Sequence, residues 1–312
     1  MVKQPLLVVV GPTGIGKSAI AIEVAKRLRG EILSVDSMQV YRGMDVGTAK
    51  PTPKEQKGVS HHGIGLIEPT EDFTASAFRQ YALQILEEVV VRKHLPILVG
   101  GTGLYLRALL DGLCAAPSGD PQYRQKLTLA VARHGAHWLH QELKIKDPLT
   151  AKRLHPNDTR RVIRALEVSH LSGKPLSTWQ RETKGLAARW RVKLVGLTQG
   201  REALYERINQ RVDQMLKKGL VQEAKRLHRR RLSKTARQAI GYKELYAHLE
   251  GRWDLDEAIE KIRQESRRYA KRQMTWFRKD KRVQWIVIQP GQTAIQVANQ
   301  VVKQYRKGCP KG

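Results

Sequence analysis

The stretch that decides the fold is Gly11-Pro-Thr-Gly-Ile-Gly-Lys-Ser18, close to the amino terminus. Five apolar residues, 6–10, precede it, and apolar residues follow it at roughly helical spacing as far as Leu28. A buried strand, a glycine-rich turn and a helix in this order are typical of a P-loop, which binds the phosphates of a ligand. The sequence therefore predicts a phosphate-binding strand, loop and helix at this position.

The residue types of this loop suit a chain of phosphates. Glycines at 11, 14 and 16 let successive backbone N–H groups point at one anion, at the positive end of a helix. Lys17 adds a mobile charge for the outer phosphate, and the Ser18 hydroxyl can bind a magnesium ion. The loop alone does not distinguish ATP, GTP or another pyrophosphate, and a turn that binds no ligand is the alternative.

The charge of the chain is strongly positive and unevenly distributed. The 312 residues include 57 Lys and Arg against 29 Asp and Glu, a net charge of +28. Residues 1–115 are nearly neutral at +2, whereas residues 116–312 carry +26. A small phosphate ligand needs only a few cations, so the excess indicates a much larger polyanion. A generally basic surface is the alternative.

Two further buried strands are expected to end beside the P-loop. Residues 31–35 lead into Asp36, and residues 96–99 lead into a glycine-rich turn that contains Thr102. Because ligands of open α/β sheets collect at the carboxyl ends of strands, Asp36 and Thr102 are expected to face the phosphate site. Asp36 could be a magnesium ligand, a general base or only a helix N-cap, and the sequence leaves these roles open.

The pattern changes after this region. Residues 116–190 contain helical periodicity without intervening strands, and a strand pattern resumes at Val192. We therefore predict an α/β fold with a P-loop NTPase-like parallel sheet, its core formed by residues 1–115 and 191–312 and interrupted by an all-helical insertion domain at 116–190.

One helix of the insertion concentrates arginine. Asp158 is a good N-cap for a helix that buries Val162 and Ile163. The three arginines of this helix, Arg160, Arg161 and Arg164, are then left toward solvent with no acidic partner on that face. Such a face suits a phosphate backbone, although a simple solvated face is also consistent with it.

The second part of the core carries many basic residues. A helix that begins near Glu202 places Arg207 and Arg211 on one side, and either could neutralise charge on a departing phosphate. Two stretches, 225–243 and 263–282, are rich in lysine and arginine, and the second interleaves them with Tyr269, Trp276 and Phe277. Cations follow a nucleic-acid backbone while aromatics stack on bases, so this mixture indicates RNA. Aromatics at helical spacing are equally consistent with a hydrophobic core.

Other features argue against several classes of protein. Cys114 and Cys309 are far apart and have no second cysteine nearby, so neither a disulfide framework nor a zinc site is indicated. His61-His62 has no carboxylate or cysteine at ligand spacing, which favours surface or core histidines over a metal site. No apolar run approaches the length of a membrane span, so we expect a cytoplasmic protein without a membrane partner.

Several segments together resemble the bacterial tRNA dimethylallyltransferases, also called tRNA isopentenyltransferases. The similarity extends over nearly the whole chain, and the order and spacing of the segments are highly specific. The segments are the P-loop, Asp36-Ser-Met-Gln-Val-Tyr-Arg-Gly-Met-Asp-Val-Gly-Thr-Ala-Lys-Pro51, Gly100-Gly-Thr-Gly-Leu-Tyr-Leu106, His155-Pro-Asn-Asp158 with Arg161 and Arg164-Ala-Leu-Glu167, Ala239-Ile-Gly-Tyr242, and Tyr269-Ala-Lys-Arg-Gln273 with Thr275-Trp276. The P-loop reads Thr-Gly-Ile-Gly where relatives often have Thr-Ala-Ser-Gly, which leaves the backbone cradle intact.

The resemblance implies transfer of the dimethylallyl group from dimethylallyl diphosphate to N6 of adenosine 37, in tRNAs that read codons beginning with U. It implies that Asp36 accepts the proton of the adenine amine, that Thr102 hydrogen-bonds near the transferring centre, and that Lys17 and Arg211 contact the diphosphate. The residues expected to bind the diphosphate are Gly11, Thr13, Gly14, Ile15, Gly16, Lys17 and Ser18, with Mg²⁺ as the cofactor held by Ser18.

The same resemblance implies which residues touch the anticodon region of the tRNA. They are Asp36, Ser37, Met38, Gln39 and Thr102 in the core, and Arg160, Arg161, Val162, Ile163 and Arg164 in the insertion. We expect the enzyme to act as a monomer.

Two other classes share parts of this pattern. A small-molecule or nucleotide kinase has a P-loop and a helical lid, but it does not explain the charge of +26 in residues 116–312. A P-loop RNA-binding ATPase explains both the charge and the loop, yet it needs a second acidic motif after an apolar strand. The sequence contains no such Asp-Glu pair after an apolar run.

Overall fold

The computed structural model describes residues 3–113, 116–117, 119–181, 183, 185–186 and 189–307. Cys114 and Cys309, for which no metal or disulfide role was predicted, lie outside these residues. Within the described residues six strands form one parallel sheet in the order β3-β2-β4-β1-β5-β6. The strands are β1 Gln4–Val10, β2 Gly30–Val35, β3 His61–His62, β4 Leu95–Gly100, β5 Trp190–Thr198 and β6 Gln284–Val287.

Helices connect the strands and extend beyond them. They are α1 Lys17–Leu28, α2 Pro53–Gln56, α3 Ala75–Val91, α4 Gly103–Leu110, α5 Pro121–Lys146, α6 Pro148–Arg153, α7 Thr159–Ser172, α8 Leu176–Arg181, α9 Arg201–Lys217, α10 Leu220–His228, α11 Lys234–Arg237, α12 Tyr242–Leu249, α13 Leu255–Arg278 and α14 Ala294–Arg306. The α/β fold with a parallel sheet that the sequence predicts is confirmed.

The chain divides into two compact units. The first comprises residues 1–109 and 187–312, and the second comprises residues 110–186. The described part of the second unit contains only helices among its regular elements, from the last residue of α4 through α8. The sequence pattern predicts limits of 116 and 190 for this insertion, and the compact unit starts and ends a few residues earlier than those limits.

The core of the first unit lies on the sheet. The central strands β1 and β4 are apolar along almost their whole length, and residues 6–10 and 95–100 are buried. Continuous apolar strands of this kind occur where helices cover both faces of a parallel sheet. Residues of α1, α9 and α14 pack with these strands in one cluster, including Val24, Ile208 and Val301.

The second unit has a small core of its own. Leu139 and Leu143 of α5 pack against Val162 and Leu166 of α7, and all four side chains are buried. Inside α5 the backbone leaves helical geometry at Gly135, where φ is 83° and ψ is 164°. Glycine adopts this positive φ without a steric penalty, so the long helix bends at this residue.

The sheet register places three loops side by side. Val10 at the end of β1 pairs with Gly100 at the end of β4, and Gly100 also pairs with Val35 at the end of β2. The P-loop, Asp36 and the Gly101-Thr102 turn therefore start at the same edge of the sheet, as the sequence predicts. No helix among the described residues has the length and apolar character needed to span a membrane.

Candidate active site

The P-loop has the backbone geometry that its glycines predict. Gly14 and Gly16 have φ angles of 83° and 91°, a region that residues with side chains rarely adopt. A Cβ atom on Gly14 would approach Ile208 Cγ1 to 2.7 Å, and one on Gly16 would approach Arg207 Nη2 to 2.9 Å. No described side chain caps the first turn of α1, which begins at Lys17. The backbone N–H groups of the first turn of α1 can therefore donate hydrogen bonds to a bound anion.

The ammonium group of Lys17 is held by two backbone carbonyls of the loop. Its Nζ donates to the carbonyl oxygens of Gly11 and Pro12, at 2.9 and 2.8 Å. Burial of the ammonium group lowers the pKa of Lys17 to about 7, the charge of Arg211 lowers it further, and the charge of Asp36 opposes both. A diphosphate beside Lys17 would favour the protonated form, so anion binding is expected to recruit a proton.

Two predicted diphosphate ligands already have protein partners for their backbone N–H groups. The N–H of Thr13 donates to Oε1 of Gln273 at 2.7 Å, and the N–H of Ile15 donates to the carbonyl of Pro12 at 3.4 Å. The Ile15 side chain is fully buried. In this structure Thr13 and Ile15 therefore support the shape of the loop, and their predicted contact with diphosphate stays a prediction.

Asp36 lies directly after β2 and stabilises a turn. Its Oδ1 accepts hydrogen bonds from the N–H groups of Met38 at 2.9 Å and Gln39 at 3.3 Å. None of the described residues donates a hydrogen bond to Oδ2. No helix of the described residues begins directly after Asp36, so it stabilises a turn and is not a helix N-cap. This role and a chemical role are compatible, because each uses a different oxygen of the carboxylate.

Thr102 connects the two loops that follow β2 and β4. Its Oγ1 accepts from the N–H of Ser37 at 3.1 Å, and its own N–H donates to the carbonyl of Val35 at 3.2 Å. Burial, followed by the charge of Asp36, raises the pKa of Tyr269 on α13 to about 12. Tyr269 is therefore protonated at neutral pH and lies in the same group of side chains.

Gln39, a predicted tRNA contact, is used within the protein. Its Oε1 accepts from the Ser34 hydroxyl at 2.8 Å, and its Nε2 donates to the carbonyls of Thr48 at 3.3 Å and Ala49 at 3.4 Å. Met38 is half-buried against an apolar cluster of the first unit. Gln39 therefore supports the segment 43–51, and the contact of both residues with tRNA stays a prediction.

A cavity of about 540 Å³ is lined by the P-loop, Asp36 and Gln39, whereas Thr102 and Met38 are not among its lining residues. Lys17, Arg211 and Asp36 line it, together with Tyr269 and Gln273 of α13. Its apolar side chains come from several elements and include Ile22, Ile32, Val46, Val99 and Met215. Its volume lies within the range of ligand pockets, and it joins a cationic anion-binding loop to an apolar region.

The structure distinguishes the two arginines that sequence spacing could not. Arg211 Nη1 donates to the Thr13 hydroxyl at 3.4 Å, and Arg211 lines the cavity. Arg207 is exposed, and its Nε donates to the carbonyl of Gly14 at 3.1 Å. Arg211 is thus positioned for a ligand, whereas Arg207 supports the P-loop from outside.

Sequence reasoning missed Glu223, a buried carboxylate in a basic helix. Its Oε2 accepts from the N–H groups of Asp45 at 3.0 Å and Val46 at 3.1 Å. Its Oε1 accepts from the N–H of Gly47 at 3.0 Å and from the Tyr242 hydroxyl at 2.6 Å. The segment 43–51, which forms one wall of the cavity, is therefore held by a residue about 180 positions away. Nothing local in the sequence indicates this pairing.

The predicted arginine face of α7 is only partly correct. Val162 and Ile163 are buried in the core of the second unit, as expected. The expectation that the arginines lack acidic partners is wrong for two of them. Arg164 Nη1 lies 2.6 Å from Oε2 of fully buried Glu167, and Arg161 Nη1 lies 3.3 Å from Asp158 Oδ2.

Arg160 differs from its neighbours. It is exposed, and no described residue forms an ion pair or hydrogen bond with its side chain. Glu167, in contrast, also accepts from Arg124, whose Nε is 2.6 Å away, and from the N–H of Asp120 at 2.7 Å. Burial alone would raise the pKa of Glu167, but these hydrogen bonds hold it below its ordinary value. Arg164 is therefore a structural partner of a buried carboxylate.

The aromatic residues of α13 divide between core and cavity. Phe277 is buried and belongs to the core, so the base-stacking interpretation is wrong for this residue. Trp276 is half-buried, and its indole ring packs so closely on Gly103 that a Cβ atom there would collide with it. Tyr269 alone of the three lines the cavity.

The fold and the loop define a P-loop α/β protein with a basic second part, and comparison with known proteins gives its family. A sequence model described as IPP transferase matches residues 39–280, and one described as isopentenyl transferase matches residues 4–64. The chain is 49% identical over 298 residues to a tRNA dimethylallyltransferase of Geobacillus kaustophilus, covering 94% of both chains. It is 46% identical over 290 residues to that of Bacillus subtilis, covering 92% of both.

Solved structures give the same result. A full-length tRNA isopentenylpyrophosphate transferase from Bacillus halodurans matches with a TM-score of 0.72 and 42% identity, over 98% of both chains. A eukaryotic dimethylallyltransferase, described as acting on tRNA, matches with a TM-score of 0.77 and 29% identity, over 91% of this chain and 74% of the other. The chain belongs to the IPP transferase family. The resemblance and the enzyme class predicted from the sequence are thereby confirmed.

Proposed function

We propose that the protein transfers the dimethylallyl group of dimethylallyl diphosphate to N6 of adenosine 37 in tRNAs that read codons beginning with U. The observation that carries this proposal is the shared cavity of Lys17, Arg211 and Asp36. The cavity combines an anion-binding loop with the carboxylate of Asp36. The described residues form hydrogen bonds with Oδ1 of this carboxylate and none with Oδ2. The chain also belongs to the IPP transferase family.

The chemistry follows from these groups. The bond between C1 of the dimethylallyl group and the diphosphate oxygen breaks, and its electron pair leaves with the diphosphate. N6 of the adenine forms the new bond to C1, and a proton of the amine passes to Oδ2 of Asp36. Lys17 and Arg211 stabilise the negative charge that develops on the leaving diphosphate. Because this charge grows during the reaction, the two cations stabilise the transition state more than the bound substrate.

The residues at the P-loop also fit a magnesium ion bound with the diphosphate. Ser18 is exposed in the first turn of α1, at the P-loop position whose hydroxyl binds Mg²⁺ together with the phosphates of the ligand. We propose that the Ser18 hydroxyl holds Mg²⁺, which would supply further neutralisation of the diphosphate charge. Chelation by EDTA is then expected to stop transfer, and Ser18→Ala to raise the magnesium concentration needed for half-maximal activity. Full activity in EDTA would contradict this part.

Adenosine 37 lies within a tRNA, and the protein must bind the polyanion as well as the base. The exposed cations of α13, including Lys271 and Arg272, and exposed Arg160 of α7 suit the phosphate backbone. The base must leave its stack to reach the cavity. We further propose that the enzyme acts as a monomer, which light scattering of the purified protein tests.

The direct test incubates unmodified tRNA with labelled dimethylallyl diphosphate and, in parallel, with labelled ATP. Label from dimethylallyl diphosphate should enter the tRNA, and a tRNA with guanosine at position 37 should remain unlabelled. Label transfer only from ATP would replace this proposal by a kinase-like activity.

A matched pair of variants tests the role of Asp36. Asp36→Asn keeps an oxygen that can accept from Met38 and Gln39, but it removes the base, whereas Asp36→Ala removes both functions. Both should lower transfer by about 10²–10⁴-fold, the range for loss of a general base. The dissociation constant for tRNA, measured by filter binding, should stay near that of the wild type. Equal loss of binding and transfer in Asp36→Asn would make Asp36 a binding residue instead.

A further inference from the structure

Gln273 joins the two sides of the cavity through one buried side chain. Its side-chain amide lies on α13, and the residue is only 6% exposed. Oε1 accepts from the N–H of Thr13 in the P-loop at 2.7 Å. Nε2 donates to the carbonyl of Gly101, after β4, at 3.0 Å. These partners lie 260 and 172 residues away in the sequence, and each belongs to a different loop.

The chemistry of the two partners requires an amide. Thr13 presents a donor and Gly101 presents an acceptor, and glutamine and asparagine offer both complementary groups on one planar unit. A buried backbone N–H or carbonyl without a partner is costly, so the pairing is strongly preferred in this orientation. A Cβ atom on Gly101 would lie 2.0 Å from Nε2 of Gln273, so a side chain at this position would displace the amide. The amide and both loops therefore pack in direct contact.

Each partner of Gln273 leads to a different reacting group. Thr13 receives the Arg211 hydrogen bond through its hydroxyl and belongs to the loop that contains Lys17. Gly101 precedes Thr102, which accepts from the N–H of Ser37, next to Asp36. The amide thus lies between the groups that hold the leaving diphosphate and the carboxylate that receives the proton. Group transfer needs the reacting atoms about 3–3.5 Å apart, so this separation matters for the rate.

The helix that carries Gln273 is itself fixed to the cavity wall. Arg263 Nη2 lies 2.6 Å from Asp213 Oδ1, and Arg267 Nη1 donates to Asn209 Oδ1 at 2.8 Å. Both partners are on α9, the helix that also carries Arg211. Helix α13 is therefore anchored on α9, so the amide of Gln273 has a fixed position against the two loops.

We propose that Gln273 is a positioning residue, which sets the spacing between the donor cradle and the acceptor loop through its bonds to Thr13 and Gly101. This rests on the proposed dimethylallyl transfer. The N–H of Thr13 is then a structural donor to the amide, and the anion receives its hydrogen bonds from the rest of the loop. Loss of the amide should slow the chemical step while each substrate still binds.

Two variants separate this role from a purely structural one. Gln273→Met keeps the length of the side chain and its helix preference but removes both hydrogen bonds. Gln273→Glu keeps the bond from Thr13 and places an oxygen against the carbonyl of Gly101. The matched control is Gln222→Met on the exposed surface of α10. For all three variants we would measure the rate of single-turnover transfer and the temperature of thermal unfolding. We would also measure the dissociation constants for tRNA and for dimethylallyl thiolodiphosphate, a non-hydrolysable analogue of the donor.

Both Gln273 variants should transfer about 10–100-fold more slowly, the penalty of misplacing reactants by about 1 Å. The dissociation constants of Gln273→Met for the thiolodiphosphate and for tRNA should stay within about threefold of the wild type, a split that uniform damage would not give. Gln273→Glu brings a carboxylate into the cavity that Lys17 and Arg211 line, so its affinity for the thiolodiphosphate is expected to fall as well, and the affinity test rests on Gln273→Met. Gln222→Met should match the wild type. The proposal would be overturned by an unchanged rate of transfer in Gln273→Met, or by a loss of donor affinity in Gln273→Met that accounts for its whole loss of activity. Unfolding of both Gln273 variants would also overturn it. If the wild type itself fails to transfer dimethylallyl, the proposed function fails instead.

Discussion

Helices α7 and α9 each carry two arginines four residues apart, and within each pair the two side chains have different partners. In α7, Arg164 contacts the buried carboxylate of Glu167, whereas Arg160 is exposed. In α9, Arg207 donates to the carbonyl of Gly14, whereas Arg211 lines the cavity. In both helices one arginine is used to hold the protein together and the other remains available to a phosphate.

The different partners of the two arginines in each pair show how much can be predicted from their spacing in a helix. Residues at i and i+4 share a face, so the pattern predicts correctly that each pair lies on one side. It does not say which arginine meets an internal acceptor. That depends on groups from elsewhere, such as the P-loop carbonyl of Gly14 or the helix N-terminus at Asp120 that helps to bury Glu167. Four experiments test the distinction.

The largest effect is expected at Arg211. Arg211→Ala removes a cation from the cavity and should lower kcat/KM for dimethylallyl diphosphate by about 10²–10³-fold, as for loss of one transition-state donor. Arg207→Ala removes only a support of the loop, so its loss should be about tenfold or less. Steady-state kinetics with labelled donor measures both. Equal losses, or a larger loss at Arg207, would show that the two arginines of α9 are not divided in this way.

Arg164 is expected to contribute more to the stability of the fold than to tRNA binding. Arg164→Ala leaves the fully buried Glu167 with Arg124 and the N–H of Asp120, and should cost about 2 kcal/mol, less than the cost of a fully orphaned buried charge. The control is Arg161→Ala, whose ion pair with Asp158 is largely exposed and should cost less than about 1 kcal/mol. Urea unfolding measures both. Adding Glu167→Gln to Arg164→Ala should recover part of the lost free energy of unfolding. If Arg164→Ala costs as much stability in the Glu167→Gln background as in the wild type, the pairing of Arg164 with Glu167 is contradicted.

The third test concerns the proton on Lys17. Its pKa is lowered to about 7 by burial, followed by Arg211, so Lys17 is half neutral near pH 7 in the free protein. Diphosphate favours the charged form. Affinity for the donor should therefore be greatest below pH 7 and fall as pH rises, by about fivefold between pH 7 and 8. Calorimetry in two buffers of different ionisation enthalpy should detect proton uptake at pH 8. Arg211→Met should move this dependence to higher pH, and a pH-independent affinity in the wild type would refute the assignment.

Much of the fold and half of the site follow from local sequence. The apolar run before Gly11 and the glycines after it predict β1, the P-loop and α1, because hydrophobic periodicity and turn residues act over a few positions. Asp36 and Thr102 come together by a general rule about the carboxyl ends of parallel strands. Strand β3, only two residues long, has no periodicity and could not be predicted.

The rest of the site depends on long-range pairing. Glu223 holds the segment 43–51 and Gln273 joins the P-loop to Gly101, across separations of about 170 to 260 residues. Neither residue type suggests its partner, since a glutamate in a basic helix and a glutamine among arginines both resemble surface residues. The pairing of Arg164 had a local signal, because Glu167 is three residues later, but only the structure reveals that this carboxylate is buried.

The smallest effect is expected at Arg160, and it is the most direct test of the pair in α7. Arg160→Ala should weaken tRNA binding a fewfold and reduce the slope of log affinity against log salt concentration by about 0.7–0.9, the share of one phosphate contact. Arg164→Ala, measured under conditions where it is folded, should leave this slope unchanged. A guanidinium already neutralised by buried Glu167 displaces few counterions from a phosphate. If Arg164→Ala lowers the slope as much as Arg160→Ala, both arginines contact the backbone, and the ion pair with Glu167 must open when tRNA binds.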